Sequence, residues 1–167
     1  LHLCDRRQRQ MCIRDRNHIL PLHTDKEQTI ALLEVGDPGE TDALAKQLSR
    51  YTSLARFSLR ANQTEEKNQR LRDSLSTYKR IIVAVSEQRL APYQPFFAKF
   101  VPESPAIYLF FTPGKMMLQI QRAVAHASAV VLGHSYSSDV QRQVADVLFA
   151  KASADGQLSA SLGELFP

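Results

Sequence analysis

The sequence predicts a three-layer α/β/α sandwich on about five mostly parallel strands, and three observations carry that expectation. Short apolar runs recur along the chain, and two of them, Ile81-Ile82-Val83-Ala84-Val85 and Ala129-Val130-Val131-Leu132, show no polar alternation. Strands of that kind are buried on both faces, as in a parallel sheet. Between the runs lie segments of helical length whose apolar residues repeat every three or four positions. Strand, helix, strand in that succession implies parallel strands joined by right-handed crossovers, with helices on both faces.

The elements follow in order. Residues 17–28, with Pro21 and a polar run from His23, read as a linker. Residues 29–35 form the first strand, which ends in the turn cluster Gly36-Asp37-Pro38-Gly39. A helix beginning near Glu40 carries Leu44, Leu48 and Tyr51 on its inner face. Residues 54–59 alternate apolar and polar, which places the second strand near an edge. Residues 62–64 cap a polar helix over 65–78 whose apolar stripe is Leu71, Leu75 and Tyr78. The run at 81–85, rich in β-branched residues, belongs at the centre of the sheet.

A short aromatic helix over 93–101 holds Phe96, Phe97 and Phe100; Pro92 and Pro95 favour its first turn and Pro102 ends it. Those aromatics read as core, not as a platform for stacking bases. Residues 106–111 make the fourth strand, and a helix over 115–124 leads to the fifth at 129–132. That strand breaks at Gly133. Ser138 with Gln141 has the form of a capping box, followed by Val140, Val144, Val147 and Leu148 on one helical face. A last extended segment is expected near 158–162.

With 167 residues, 44% hydrophobic and 23% charged, one core suffices; a chain of this size buries roughly 70% of its unfolded surface. The net charge of +4 does not indicate a nucleic-acid partner, because residues 1–16 alone contribute +3. That segment, LHLCDRRQRQMCIRDR, lacks apolar periodicity and resembles translated sequencing-adapter read-through, so 1–16 is expected to be a non-native extension. The rival reading is an Arg-rich arm for phosphates, which has no interleaved aromatics to support it. The spacing of Cys4 and Cys12 does not suit a zinc site, and no other cysteine is present. A cysteine-free body fits an exported protein without disulfides as well as a cytoplasmic one; of the two, a periplasmic or extracellular setting is favoured. No apolar run approaches the roughly 20 residues of a membrane-spanning helix.

Open parallel sheets receive ligands at the carboxyl ends of their strands. In this chain those ends carry Asp37, Glu87, Thr112 and His134, the candidate site residues. Each also has an ordinary role: a turn for Asp37, a solvated carboxylate for Glu87, a bond to the next loop for His134. Phosphate loops are not supported. Gly36-Asp37-Pro38-Gly39 lacks the G-x-G-x-x-G spacing and Gly114-Lys115 lacks the Ser/Thr of a P-loop. Ser76-Thr77-Tyr78-Lys79 has the S-x-x-K form of penicillin-recognising hydrolases without their partner motifs. Asn62-Gln63-Thr64 is a glycosylation sequon in form and equally a helix cap. No histidine pair has metal-ligand spacing, so no metal and no cofactor is expected.

Two stretches carry a resemblance to a known family. Asn17-His18-Ile19-Leu20-Pro21-Leu22 followed by Thr29-Ile30-Ala31-Leu32-Leu33-Glu34-Val35-Gly36 resembles the opening of the second domain of glycoside hydrolase family 3 enzymes. AVVLGHSYSS, DVQRQVADVLFA and Gly156-Gln157-Leu158-Ser159-Ala160-Ser161 resemble its close. The similarity covers about residues 17–167, with 29–167 as the domain itself. It implies an α/β sandwich of flavodoxin-like type, attached to a (β/α)8 barrel that cleaves β-linked sugars with retention through a covalent intermediate.

The family's nucleophile is an Asp on that barrel, which this chain has nothing to match, so inactivity of this fragment alone is expected. In the β-glucosidase branch the acid/base is a Glu on the sandwich, and Glu87 is the candidate by position. In the β-N-acetylglucosaminidase branch it is a barrel His paired with an Asp. The run Leu33-Glu34-Val35-Gly36-Asp37-Pro38-Gly39-Glu40-Thr41 is more similar to the latter branch, in some of whose members a β-lactamase-like domain follows. The implied partners are then the barrel of the same polypeptide and a carbohydrate substrate, with Asp37, Glu87, Thr112 and His134 at most on the substrate rim. The alternative is a free-standing flavodoxin-like domain that binds a small ligand or regulates.

Overall fold

A computed structural model describes residues 11–103 and 105–151. Its strands are β1 (Cys12–Asp15), β2 (Asp25–Val35), β3 (Thr52–Leu59), β4 (Ile81–Val85), β5 (Ile107–Phe110) and β6 (Ala129–Leu132). Its α-helices are α1 (Asp42–Leu48), α2 (Glu65–Ser76), α3 (Gln94–Phe97), α4 (Gln121–Ala125) and α5 (Ser138–Leu148). Two 3₁₀ segments, Ala91–Tyr93 and Gly114–Ile120, lead into α3 and α4. The expected segment near 158–162 lies outside the described residues.

The strands form one sheet in the order β1-β6-β5-β4-β2-β3. From β6 to β3 every neighbouring pair is parallel, and β1 runs antiparallel to β6. Setting β1 aside, the order is flavodoxin-like, and the direction in which strands are added reverses between β2 and β4. The expected architecture is therefore present, with β4 central and β3 at an edge as the apolar patterns required.

The sheet separates two apolar layers because side chains alternate along each strand. Ala31, Leu33, Val35, Val83, Val85, Tyr108 and Phe110 face a layer closed by α2, α3, α4 and their aromatics. Ile30, Leu32, Ile82, Ala84, Leu109, Val131 and Ile107 face the layer of α1 and α5. Every residue of β4, β5 and β6 is buried. Each face of those strands is covered by helices, which is why their sequences show no alternation.

Several local expectations are corrected. The cap of α5 is Ser137, whose Oγ accepts from the Val140 N–H at 3.4 Å, and not Ser138. Gln141 makes no capping box: it is buried, accepts from Leu44 N–H at 2.9 Å, and donates to the carbonyls of Glu40 and Tyr136, both at 2.6 Å. It therefore ties α5 to the start of α1. The aromatic helix over 93–101 shrinks to α3 with a 3₁₀ entry, because prolines at 92 and 95 leave few N–H groups for a regular helix. The helix over 115–124 likewise begins as the 3₁₀ segment Gly114–Ile120.

The amino-terminal stretch is docked more closely than its polarity implied. Cys12–Asp15, placed by the sequence reading ahead of the folded body, pairs residue by residue with β6 from Leu132 to Ala129. In the stretch read as a linker, the Ile19 and Leu20 N–H groups donate to the Asp15 carboxylate before it, both at 2.9 Å, and buried Leu22 donates its N–H to Leu148 O at 2.7 Å. The residues 25–28 assigned to that linker are the exposed first part of β2.

Candidate functional site at the strand ends

The carboxyl ends of the parallel strands are stitched across the sheet by backbone bonds. Val35 O accepts from Ser86 N at 3.0 Å and from Glu87 N at 3.3 Å. Phe111 N donates to Val85 O, and Gly133 N to Phe110 O, both at 2.8 Å. The four candidates consequently stand along one rim in the spatial order His134, Thr112, Glu87, Asp37. They share a rim but form no common hydrogen-bonded cluster.

Each has its own setting. Asp37 is exposed in the β2–α1 turn. Glu87 is half-buried, and its Oε1 accepts from Gln88 N at 2.9 Å and Arg89 N at 3.3 Å, so the carboxylate organises its own loop. Thr112 is buried, and its Oγ1 has no hydrogen-bond partner among the described residues. His134 has a left-handed backbone, φ 65°, and its Nε2 lies 3.7 Å from Cys12 Sγ on β1. Tyr93 senses one end of the rim: burial raises its phenol pKa, and the charges of Glu87, Asp37 and Glu40 add to that, against Arg60.

At the switch between β2 and β4 the crevice is closed at its base. Ser86 is buried and its Oγ donates to Val35 O at 3.3 Å. A Cβ at Gly36 would stand 2.1 Å from that Oγ, and φ at Gly36 is 149°, so only glycine fits where the two strands end.

One strand further out, sequence reasoning missed an ionic network. Arg56 on β3 grips Glu34 on β2 with a two-pronged contact, Nε to Oε2 at 3.0 Å and Nη2 to Oε1 at 2.7 Å, and Nη2 also reaches Asp42 at 2.6 Å. The buried Thr41 hydroxyl donates to Glu34 Oε1 at 2.6 Å. The hydrogen bonds that Arg56 donates to Glu34, and then to Asp42, hold its pKa above the ordinary value. Beside this network is a cavity of about 190 Å³ lined by Glu34, Gly36, Asp37, Pro38, Gly39, Arg56 and Ser58. Of the four rim residues only Asp37 lines it. The only available signal was Glu34, a charged residue in the otherwise apolar run from Ile30 to Val35.

A larger cavity, about 370 Å³, lies away from the candidates between α3 and the segment before α4, lined among others by Phe97, Leu118, Ile120 and Arg122. Among the described residues no group of three or more His, Cys, Asp or Glu could hold a metal ion. No described helix is long and apolar enough to cross a membrane. Among the described residues Val101, Leu118 and Tyr136 are the exposed large apolar side chains, on three separate segments; the last two follow the carboxyl ends of β5 and β6.

No protein-family model and no curated protein sequence matches this chain. Solved structures do. A fungal multi-domain GH3 β-N-acetylglucosaminidase aligns with a TM-score of 0.68 at 12% identity, covering 87% of this chain and 17% of that one. A glycoside hydrolase family 3 β-N-acetylglucosaminidase from Paenibacillus sp. str. FPU-7 aligns at 0.63 and 15% identity, covering 88% and 29%. The β-glucoside phosphorylase BglX aligns at 0.62 and 14% identity, covering 90% and 29%. These likenesses establish the fold. The chain spans less than a third of the length of each of these structures.

Proposed function

We propose that this chain is the carboxyl-terminal α/β sandwich of a glycoside hydrolase family 3 enzyme, of β-N-acetylglucosaminidase or β-glucosidase type. In this reading it serves as an accessory domain. It packs beside a (β/α)8 barrel of the same polypeptide, and the barrel supplies the nucleophile for retaining hydrolysis of β-linked sugars. The observation that carries the reading is the asymmetry of coverage: nearly all of this chain superimposes on a small fraction of much longer glycosidases. The implied partners are that barrel and its carbohydrate substrate.

The strand-end geometry supports a supporting role over a catalytic one. The four strand-end candidates form no common hydrogen-bonded cluster, and Glu87 Oε1 accepts the N–H groups of its own loop, so this rim presents no paired acid and base. Asp37, Glu87, Thr112 and His134 then act at the substrate rim at most. The rival reading, a free-standing flavodoxin-like binding domain, needs an open crevice at the switch point, and Ser86 packed against Gly36 fills its base.

The test has two parts. The encoding DNA is read upstream for a barrel, and the isolated chain is assayed on a chromogenic β-N-acetylglucosaminide and a β-glucoside. The expected result is an upstream barrel, no turnover by the isolated chain, and turnover once the two are joined. Turnover by the isolated chain would show that the sandwich carries its own reactive groups and overturn the reading.

A further inference from the structure

We infer that the cavity of about 370 Å³ between α3 and the segment before α4 binds a small amphipathic carboxylate, a ring or branched chain that carries one ionised acid group. The inference stands on this cavity and does not depend on the glycosidase reading. Small-molecule sites begin at roughly 300 Å³, so the cavity has room for such a molecule. Its two walls are tied to each other. Gln94 Nε2 donates to Gln119 O at 3.0 Å, and Gln119 Oε1 accepts from Leu90 N, also at 3.0 Å. Those bonds set the distance between the walls before any ligand arrives.

The buried part of the lining is apolar. Phe97, Ile120 and Ala123 are buried there, and Leu118, 38% exposed, borders them. Phe97 is packed among Phe96, Phe100 and Tyr108 at ring separations of 5.2 to 6.3 Å, so its ring is a fixed surface. An apolar body laid on these side chains takes them, Leu118 included, out of water. The polar part of the lining is exposed. Among the described residues the side chains of Arg122 and Gln121 have no hydrogen bond and no ion pair, and both remain available to a ligand.

Charge selects the sign of the ligand. Arg122 is the one charged residue that lines the cavity, and no acidic residue lines it. The segment that builds the cavity is basic as well: residues 88–127 hold Arg89, Lys99, Lys115 and Arg122 against Glu103 alone, with Lys99 shared by Glu65 of α2. A cation is turned away by that field. An unpartnered guanidinium presents parallel N–H groups that match the two oxygens of a carboxylate. One such fork beside an amide does not supply the donors that a phosphate demands. A bare anion leaves the apolar lining in water, and a neutral hydrocarbon leaves Arg122 unused, so only a molecule with both parts engages the whole cavity.

The experiment titrates the full ¹⁵N-labelled chain with phenylacetate, its neutral analogue phenylethanol, its cationic analogue phenylethylamine and, as an anion without an apolar body, acetate. Saturable amide shifts at Ala98, Leu118, Gln121 and Ala123 with millimolar Kd are expected for phenylacetate. The alcohol should bind about fivefold more weakly and the amine more weakly still, and the lead of phenylacetate over the alcohol should shrink as salt is added. Arg122→Gln, at an exposed and unpaired position, should leave the remaining amide spectrum unchanged, remove that lead and spare the binding of the alcohol. Leu118→Ala should weaken phenylacetate and the alcohol alike, by about threefold. Shifts located elsewhere, no shift with any probe, an amine or acetate that binds as tightly as phenylacetate, or a lead that survives Arg122→Gln would each overturn the site. None of these results bears on whether a barrel stands upstream, so the glycosidase reading stands or falls separately.

Discussion

The two helical layers cover the same sheet by different means. On the α2–α3–α4 side, Phe96, Phe97 and Phe100 pack edge-on and tilted against one another at ring separations of 5.1 to 6.2 Å, and Phe97 reaches Tyr108 at 6.3 Å. On the α1–α5 side the helices are joined by directed polar bonds. Gln141 bridges α5 to the start of α1 through two backbone groups, Leu44 N–H and Glu40 O, and also holds Tyr136 O of its own entry loop, and Asp146 accepts from Gln47 at 2.7 Å and from Tyr51 at 2.6 Å. The aromatic layer gains its stability from area, which tolerates small shifts. The other gains specificity from bonds that fail if either helix slides.

The comparison breaks first at Phe96. Its side chain is fully buried, touches two other rings and lies under the Arg72 guanidinium at 5.5 Å. Phe96→Ala leaves a cavity among rigid neighbours and should cost about 3–5 kcal/mol, read as a fall in the denaturant midpoint. Arg72 would lose its aromatic support but keep its bonds to Phe96 O and Gln69. A loss below about 1 kcal/mol would show that this layer collapses around the gap and is not close-packed.

The corresponding cut on the other side is Gln141→Ala. It strands the buried Leu44 N–H and the carbonyls of Glu40 and Tyr136, and should cost about 2–3 kcal/mol. Gln141→Glu keeps the acceptor for Leu44 N–H but sets a buried carboxylate oxygen against the two carbonyls the amide donated to, so at neutral pH it should cost at least as much as Gln141→Ala. If Gln141→Ala proves more damaging than Phe96→Ala, polar bridging and not aromatic area dominates the fold.

The same contrast explains what the sequence disclosed. Apolar area is written locally: the runs at 81–85 and 129–132 could be read as buried strands because every residue in them is apolar, and Leu44, Leu48 and Leu75 could be placed by spacing. Directed bonds are written in pairs far apart. Gln141 looks like a capping residue until Leu44, 97 positions earlier, is seen to donate to it. Arg72 looks solvated on a polar helix, yet its side chain is 6% exposed because α3 brings Phe96 over it. The candidate rim was legible as four strand ends, but the Arg56–Glu34–Asp42 network beside it was not, since it needs the parallel pairing of β2 with β3. The antiparallel β1 escaped notice for a related reason: Cys12–Asp15 is half charged, and only its pairing with the distant β6 makes it a strand.

The smallest effect expected is at Tyr51, and it carries a pH signature. Its hydroxyl donates to Asp146 and its ring stacks on Phe149 at 4.9 Å. The hydrogen bond to Asp146, then burial, then the charge of Asp146 raise its pKa above the ordinary 10.0. Because the folded chain holds this proton more tightly than the unfolded chain, the contribution is complete below pH 10 and is lost as pH rises through the folded value. Tyr51→Phe keeps the ring and should cost about 0.5–1 kcal/mol at neutral pH. The gap between the wild-type chain and the variant should then narrow above pH 10 in denaturant unfolding. Burial of Tyr108 and Tyr93 also raises their pKa values, so both proteins lose stability in that range and only the difference between them isolates Tyr51. A gap that stays constant across pH 10 would mean that the Asp146 bond is not made in solution, and that the α1–α5 layer rests on Gln141 and Gln47 without it.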